Sequence, residues 1–523
     1  MEKPMNRRHT CAVIAVLFLF SLSARADWPT YAHDAQRSGW APEETKLSPA
    51  NAPSMHLLWK AKLENESYSL SAVTAPVVAT KVPTPDGART VVYVCGIKGI
   101  VFALDAETGK VLWSHTFRSS ILPGKGRYQG TFLCPNGITA TPVIDRKTNL
   151  LYVIAPNGAL YGLDLTTGTV RYGPVHFVAA YSKNWSLSLV DGVIYTTLAQ
   201  GCGDGISGFY SIDINDPQRP VIRELLLSRS DTAGLWGRSG PVIGNNGHIY
   251  GATADGVFNP SIGDYSLTVL SATLPDLKMD GYFLPHNWDY LNRRDLDLGS
   301  ASPAFFGWNN HNYVIHGAKE GFLYIFDAEH LGGADHQTAL YKSPRLGNDI
   351  QKCCAGYGVY GSITTAVDDA GQTWLYVPVG GTPSKDAPAF PMTNGDTENG
   401  SIMAFRVAAD TATGHPKLEP GWITGGFHFP DPPVVANGVV FALSTGENMD
   451  GPQEKRVLNT RPAVLRAMDA KTGKELFNSG DAIKSWVHFS GLAITDGMVF
   501  VVDHDSNVYC FGPGPSEKTQ STQ

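Results

Sequence analysis

Long apolar runs are almost absent from this 523-residue chain. Its clearest one, Cys11 to Leu22, has twelve residues, against the roughly twenty a bilayer span needs. No membrane span is therefore expected. Lys3, Arg7 and Arg8 precede that run and Ala24-Arg25-Ala26 follows it, so residues 1–26 read as a secretory signal with the mature chain starting near Asp27. Periplasmic or secreted localisation is the expectation. Basic residues are also in deficit, with 41 Lys and Arg against 48 Asp and Glu; removing residues 1–26 takes the formal charge from −7 to −10. No nucleic-acid partner is expected on that balance. Cysteine is sparse, seven in all, and no Cys-x-x-Cys-His occurs, which excludes a c-type haem attachment. Six cysteines remain beyond the signal, in a compartment that permits disulfides, and spacing alone does not pair them. No lipid-anchor cysteine follows the apolar run. No paired nucleophile and base stands out either, so hydrolytic chemistry has little support.

What the chain has instead is a repeat. Residues 91–117, VVYVCGIKGIVFALDAETGKVLWSHTF, read as three strands joined by tight turns, with β-branched and aromatic residues alternating at period two. Gly109 supplies the reversal in the second turn at little conformational cost. LLYVIAPNGALYGLDLTTG (150–168) repeats the unit closely, and 193–214, 313–333, 464–477 and 498–512 repeat it with variation. With weaker copies at 248–271 and 373–407 the count is eight.

Each copy adds an inner strand, often with Pro or Gly. The blades then run 72–117, 138–178, 186–227, 236–284, 299–343, 359–424, 431–479 and from 490 to about 510. The last is one outer strand short. Residues 57–63, LLWKAKL, match the outer strand VLWSHTF and belong to no blade of their own. The fold class expected is therefore all-β, an eight-bladed β-propeller over 27–511 closed by that N-terminal outer strand, which leaves no exposed sheet edge. The tail 512–523 reads as disordered. Insertions at 118–137, 275–298, 344–358 and 381–399 are the loops on which function is expected to sit.

The ending Ala-Leu-Asp-x-x-Thr-Gly-Lys-x-x-Trp at 103–113 resembles that of the quinoprotein alcohol dehydrogenase-like propellers, and the resemblance extends from Trp28 to Phe511. It implies pyrroloquinoline quinone with a calcium or lanthanide ion, a small-molecule alcohol or sugar as substrate, and a separate electron acceptor such as a cytochrome c. It also implies a set of site residues. Trp236 in GLWGRSGP matches the tryptophan under the cofactor, or serves as a blade-packing residue. Asp255 stands where the family has a metal-binding Asn, or belongs to a plain Asp-Gly turn. In the Pro-His-Asn-Trp-Asp stretch at 285–289, Asp289 matches the catalytic base, with Asp295 and Asp297 nearby able to serve instead or to cap a turn. Lys319 matches the cation at the quinone oxygens, or is a solvated turn lysine.

Two positions depart from the family pattern. Asp204 has to replace a metal-binding Glu with a one-residue shift. The adjacent cysteines that often cover the quinone near the start of the second blade are represented there by Cys134 alone, while the adjacent pair Cys353-Cys354 precedes blade six. That pair is either a cofactor lid at the funnel mouth or bonded elsewhere, for example to Cys134 or Cys202. Asp204, Trp236, Asp255, Asp289 and Lys319 are expected to converge in one axial pocket. The alternative to an oxidoreductase is a non-catalytic propeller that binds protein or cell-envelope partners.

Overall fold

The structure is a computed structural model, and it describes residues 26–134, 137–230, 232–353, 356–448 and 455–514. Residues 1–25 of the expected signal and 515–523 of the expected tail lie outside the described residues, while Gly512 and Pro513, expected to be disordered, continue the strand Asn507–Pro513 because the N-terminal strand pairs with them.

Among the described residues, eight sheets of four or more strands follow one another along the chain, each built on consecutive antiparallel strands ordered inner to outer. Blade one, for example, pairs Val77–Thr84, Gly87–Gly96, Ile100–Asp105 and Val111–Thr116 in that order. Its two middle strands are buried from Val91 to Gly96 and from Val101 to Asp105, and its outer strand mixes exposed and half-buried residues, the pattern of strands packed on both faces and of an edge wetted on one side. In blade eight, Ala493–Thr495, Met498–Val502 and Asn507–Pro513 are completed by Met55–Lys62, which pairs antiparallel with Asn507–Pro513. The ring is therefore closed by the N-terminal strand, as the unmatched LLWKAKL segment indicates.

The repeat Asp-x-x-Thr-Gly has a local cause. Asp105 Oδ1 accepts from the backbone N–H of Glu107 and Thr108 and from the Thr108 hydroxyl, so one carboxylate organises the whole turn. Asp164, Asp410 and Asp469 do the same in their blades. The glycine that follows has a positive φ, +71° at Gly109 and +69° at Gly168, and a Cβ there would strike the indole of Trp59 or Trp113. Each tryptophan donates its Nε1–H to a backbone carbonyl of the next blade, Trp59 to Ala106 at 2.8 Å and Trp113 to Leu165 at 3.1 Å. One turn thus makes both the strand reversal and the blade-to-blade contact. Trp59 lies on the closing strand, so the residue that seals blade eight also docks onto blade one.

A second device escapes the repeat. The segment from Trp28 to Glu44 reaches every blade in chain order. Trp28 exchanges backbone hydrogen bonds with Val78, and Pro29 O accepts from Ile144 N–H. Thr30 Oγ1 donates to Leu187 O. Ala35, Gln36, Ser38 and Gly39 carbonyls accept from Ile243, Phe305, Thr365 and Val435 N–H, and Glu44 Oε2 accepts from Gly497 N–H. Arg37, fully buried, donates to the carbonyls of Tyr31, Asp34, Ser186, Leu187 and Pro241 and to the Thr30 and Ser188 hydroxyls. The segment satisfies backbone groups of inner strands that have no neighbour on the axis. It also carries Tyr31 into the wall of the cavity described next.

Candidate functional site

A cavity of about 190 Å³ lies where the inner strands converge. Its lining comes from residues far apart in the chain, most of them just before an inner strand or in the turn that leaves one: Lys183 and Trp185, Trp236 and Arg238, Asp295 and Asp297, Tyr360, and His488.

On one side stand three carboxylates. Ligand oxygens of Asp255, Asp295 and Asp297 lie within 4.8 Å of one another. The connection that delivers two of them is the short helix Trp288–Arg294. Leu291, together with Leu296 beyond the helix, buries itself against Leu267 and Leu284, which holds the helix against blade four. Its C-cap is Asp295, in the left-handed conformation at φ 51°, a strain that an Asp tolerates better than most residues. That reversal turns Asp295 and Asp297 inward. Lys319 Nζ bonds both, Asp295 Oδ1 at 2.6 Å and Asp297 Oδ2 as an almost fully buried pair. Burial pushes the Asp297 carboxyl up, Lys319 opposes this, and the charge of Asp295 adds to it. Burial and Asp295 likewise raise Asp255. Crowded carboxylates of this kind lose their mutual repulsion to a cation, and three hard oxygen donors suit calcium or a lanthanide.

Another part of the lining is cationic. Lys183 Nζ donates to Leu133 O at 2.6 Å and lies 4.9 Å from the Trp236 ring centroid. Burial, with Arg238 and Arg456 nearby, holds the Lys183 ammonium well below the usual lysine range. Arg238 donates to His488 O at 2.9 Å and sits over Trp185. Arg456 pairs with fully buried Glu447 at 2.7 Å. Trp236 has Tyr128 on one flank, ring centroids 6.3 Å apart.

Trp236, Asp255 and Lys319 therefore share the cavity, and Asp204 and Asp289 do not. Asp289 sits in the first turn of the helix on its solvent side, 58 % exposed, and pairs with Arg293 one turn on at 2.6 Å. Leu291 and Leu296 fix the opposite side inward, so the helix cannot present Asp289 to the axis. Asp204 is exposed in the turn after Cys202, accepts from Lys125 N–H, and packs on Gly124; its contact is with the 118–137 insertion. Asp295 and Asp297 occupy the place that the convergence expectation gave to these two. Cys353 is half-buried and does not line the cavity, and Cys354 lies outside the described residues.

Lys183, Glu447, Arg456 and His488 escape motif reading because they lie in no recognised stretch, and Arg238 escapes although it lies in the GLWGRSGP stretch read for Trp236. Repeat phase is the signal that reaches Lys183, Arg238 and His488: each stands a few residues before an inner strand, and that phase faces the axis.

The disulfide joins Cys134 to Cys202, Cα atoms 5.3 Å apart, and so ties the 118–137 insertion to blade three. Leu133, beside it, lines the cavity and carries the carbonyl that holds Lys183. Replacing both cysteines with Ser is expected to free that wall. Limited proteolysis should then cut faster within 118–133 than in the oxidised parent, while the far-ultraviolet circular dichroism of the propeller is unchanged; equal cutting rates would show that the bridge does not restrain the insertion.

Beside the cavity, Asp431 is fully buried, its Oδ2 accepts from Gly491 N–H at 3.2 Å, and its Oδ1 lacks a partner among the described residues. Burial pushes its carboxyl up to about 7. In the unfolded chain it titrates near 4. The folded state therefore holds the extra proton between those values, and stability falls as pH rises through that window, by about 4 kcal/mol at most. Asp431→Asn is expected to flatten the loss of Tm between pH 5 and pH 8 in thermal scans. A variant whose Tm falls as steeply as the parent's would remove Asp431 as the cause.

Comparison with known proteins adds the following. Residues 28–177 match the model of the PQQ family described as the glucose/ethanol/alcohol dehydrogenase β-propeller domain. A 1-butanol dehydrogenase (cytochrome c) of Thauera butanivorans is 23% identical over 355 residues, 60% of this chain. The chain spans about half the length of that relative, 47%. Among solved structures, the quinohemoprotein alcohol dehydrogenase of Comamonas testosteroni superposes with a TM-score of 0.59 at 14% identity, over 96% of this chain and 83% of the other. A europium-containing methanol dehydrogenase gives 0.58 at 13% identity, over 93% and 98%. At these identities the likeness is one of fold.

Proposed function

We propose that this chain is a quinoprotein alcohol dehydrogenase-like propeller and that its cavity is the site of a pyrroloquinoline quinone-dependent oxidoreductase acting on an alcohol or sugar, a reading supported by the family match over residues 28–177 and by the shared fold. The observation that carries the reading is the convergence of Asp255, Asp295 and Asp297 beside Lys319 and Trp236 in one cavity. The residues fit the group. Lys183, Arg238 and Arg456 offer a cationic wall to a polycarboxylate, Trp236 a flat aromatic face, and Asp255 and Asp297 hard oxygens to a calcium or lanthanide ion. When bound, the quinone supplies a hydride-accepting carbonyl and the metal polarises it.

Asp295 is far more exposed than Asp297, 40 % against 2 %, and is the one of this pair placed to take the proton of a substrate hydroxyl. Lys319 holds Asp295 and Asp297 in register. Tyr128 and Leu133 border the cavity from the insertion and limit the entry of water. The unit is a single propeller over 27–511, periplasmic or secreted, and a separate acceptor such as a cytochrome c takes the electrons.

The reading is tested by mixing the mature protein with the quinone and Ca²⁺ or La³⁺, desalting, and recording the absorption spectrum. Retained quinone and dye-linked alcohol oxidation are expected. Loss of all quinone on desalting with either ion would leave the non-catalytic binding propeller as the better account.

A further inference from the structure

His488 lines the same cavity, fully buried Glu447 touches it, and neither takes part in the assignment above. Glu447 is fully buried, with Arg456 on Oε1 at 2.7 Å and the Nδ1 edge of His488 on Oε2 at 2.9 Å. His488 lines the cavity. Its backbone carbonyl is held by Arg238 at 2.9 Å, so ring and backbone are fixed from two sides.

We propose that Glu447 and His488 form an acceptor dyad: Glu447 locks His488 in the Nδ1–H tautomer, and Nε2 receives a hydrogen bond from an O–H or N–H of the molecule in the cavity. The proposal rests on the reading that this cavity binds an alcohol and a quinone.

The tautomer follows from the charge of Glu447. Burial works against ionisation, but Arg456 and His488 hold the carboxyl below its usual range. An ionised carboxylate only accepts, so the ring nitrogen facing it carries the hydrogen. The ring stays neutral, because burial pushes its titration down to about 3 and Arg238 and Arg456 add to that effect, against Glu447. Neutral imidazole protonated at Nδ1 has an acceptor at Nε2 and no donor there. The charged side chains near it, Lys183, Arg238 and Arg456, are donors, which suit anionic oxygens. A neutral acceptor beside them selects a ligand atom of the other kind.

Ring position says which molecules reach it. His488 precedes the inner strand of blade eight and Asp255 belongs to blade four, half a turn away in an eightfold ring. A ligand that meets both walls has a reacting hydroxyl at one end and a second donor elsewhere. That donor is either a second hydroxyl of the substrate, as in a diol or sugar, or an N–H of the quinone.

The test uses the mature protein with ring-¹⁵N-labelled histidine. In the cofactor-free protein, His488 is expected to show a protonated Nδ1 and an unprotonated Nε2 from pH 8 to pH 5, and an Nε2–H tautomer or an imidazolium overturns the proposal. Pyrroloquinoline quinone with Ca²⁺, and separately a 1,2-diol, are then titrated in. A shift of the Nε2 resonance with the quinone, and at least tenfold weaker quinone retention in His488→Phe, assigns the donor to the quinone. A shift with the diol, and a tenfold higher KM in His488→Phe for the diol but not for a monohydric alcohol, assigns it to the substrate. Neither shift, in a protein that retains quinone, overturns the dyad. A wild-type protein that retains no quinone overturns the proposed function instead, and the diol titration still decides the dyad. Glu447→Gln, checked for an unchanged melting curve, should let His488 sample the other tautomer; a single unaltered Nδ1–H form in that variant also overturns the proposal.

Discussion

Asp295→Asn is expected to lower dye-linked alcohol oxidation by about 10³-fold, within the range general acid–base groups supply, while Asp289→Asn stays within about twofold of the parent. The contrast follows from the helix between them. Asp289 faces solvent beside Arg293, whereas Asp295 caps the helix and meets Lys319 and Asp297 in the cavity. The amide keeps the size and one acceptor of the carboxylate, so Lys319 retains a partner and the loss is confined to proton acceptance. The measurement is kcat and KM with an artificial electron acceptor after quinone loading, with retained quinone read from the absorption spectrum of each variant. A fall in kcat with KM and quinone content preserved identifies a group that acts in the transition state. Equal losses in both variants, or a loss in Asp289→Asn alone, would return the role to Asp289 and remove the acidic cluster from the proton path.

Arg37→Ala is expected to destabilise the protein by about 3 kcal/mol or more, since a buried cation's partners are left in a low-dielectric interior with their acceptors unmet. The guanidinium binds five carbonyls and two hydroxyls drawn from the axial segment itself and from blades three and four. Its loss therefore loosens the segment that reaches all eight blades. Arg37→Lys should recover little, because an ammonium cannot reproduce the planar fork that reaches carbonyls on several sides. Thermal unfolding followed by circular dichroism should show a drop of roughly 5 °C or more in Arg37→Ala, against no measurable change in Arg171→Ala, whose side chain is 64 % exposed. A Tm for Arg37→Ala equal to the parent's would mean that the segment is held by its backbone contacts alone.

The two predictions concern features that differ in how far they can be read from the chain. Blade number, strand order and closure by the N-terminal strand are written in the sequence because their causes are local. An Asp that bonds its own turn, a Gly that accepts positive φ and a Trp that docks on the next turn all lie within nine residues of one another, and they recur. The missing fourth strand of blade eight and the spare LLWKAKL segment are two halves of the same fact, visible without coordinates.

The axial segment and the site are another matter. Residues 28–44 carry no repeat and no periodicity, since their partners are exposed backbone groups of eight separate strands, and a carbonyl offers no side-chain signal. Trp236, Asp255 and Lys319 were legible because they lie in stretches similar to a known family. Asp289 was assigned to the cavity from its Pro-His-Asn-Trp-Asp motif, and a seven-residue helix instead places the aspartates beyond it there. Lys183, Arg238, Glu447, Arg456 and His488 lie up to 305 residues apart in sequence, and a charge acquires a role only when ring closure brings its opposite, or its like, within a few ångströms. By itself the sequence determined the all-β repeat, its eightfold count and its closing strand, since short-range hydrogen bonding and docking dictate them. Which carboxylates face the axis, which cations oppose them and which cysteines join were decided by tertiary structure alone, because burial and electrostatics act between neighbours in space.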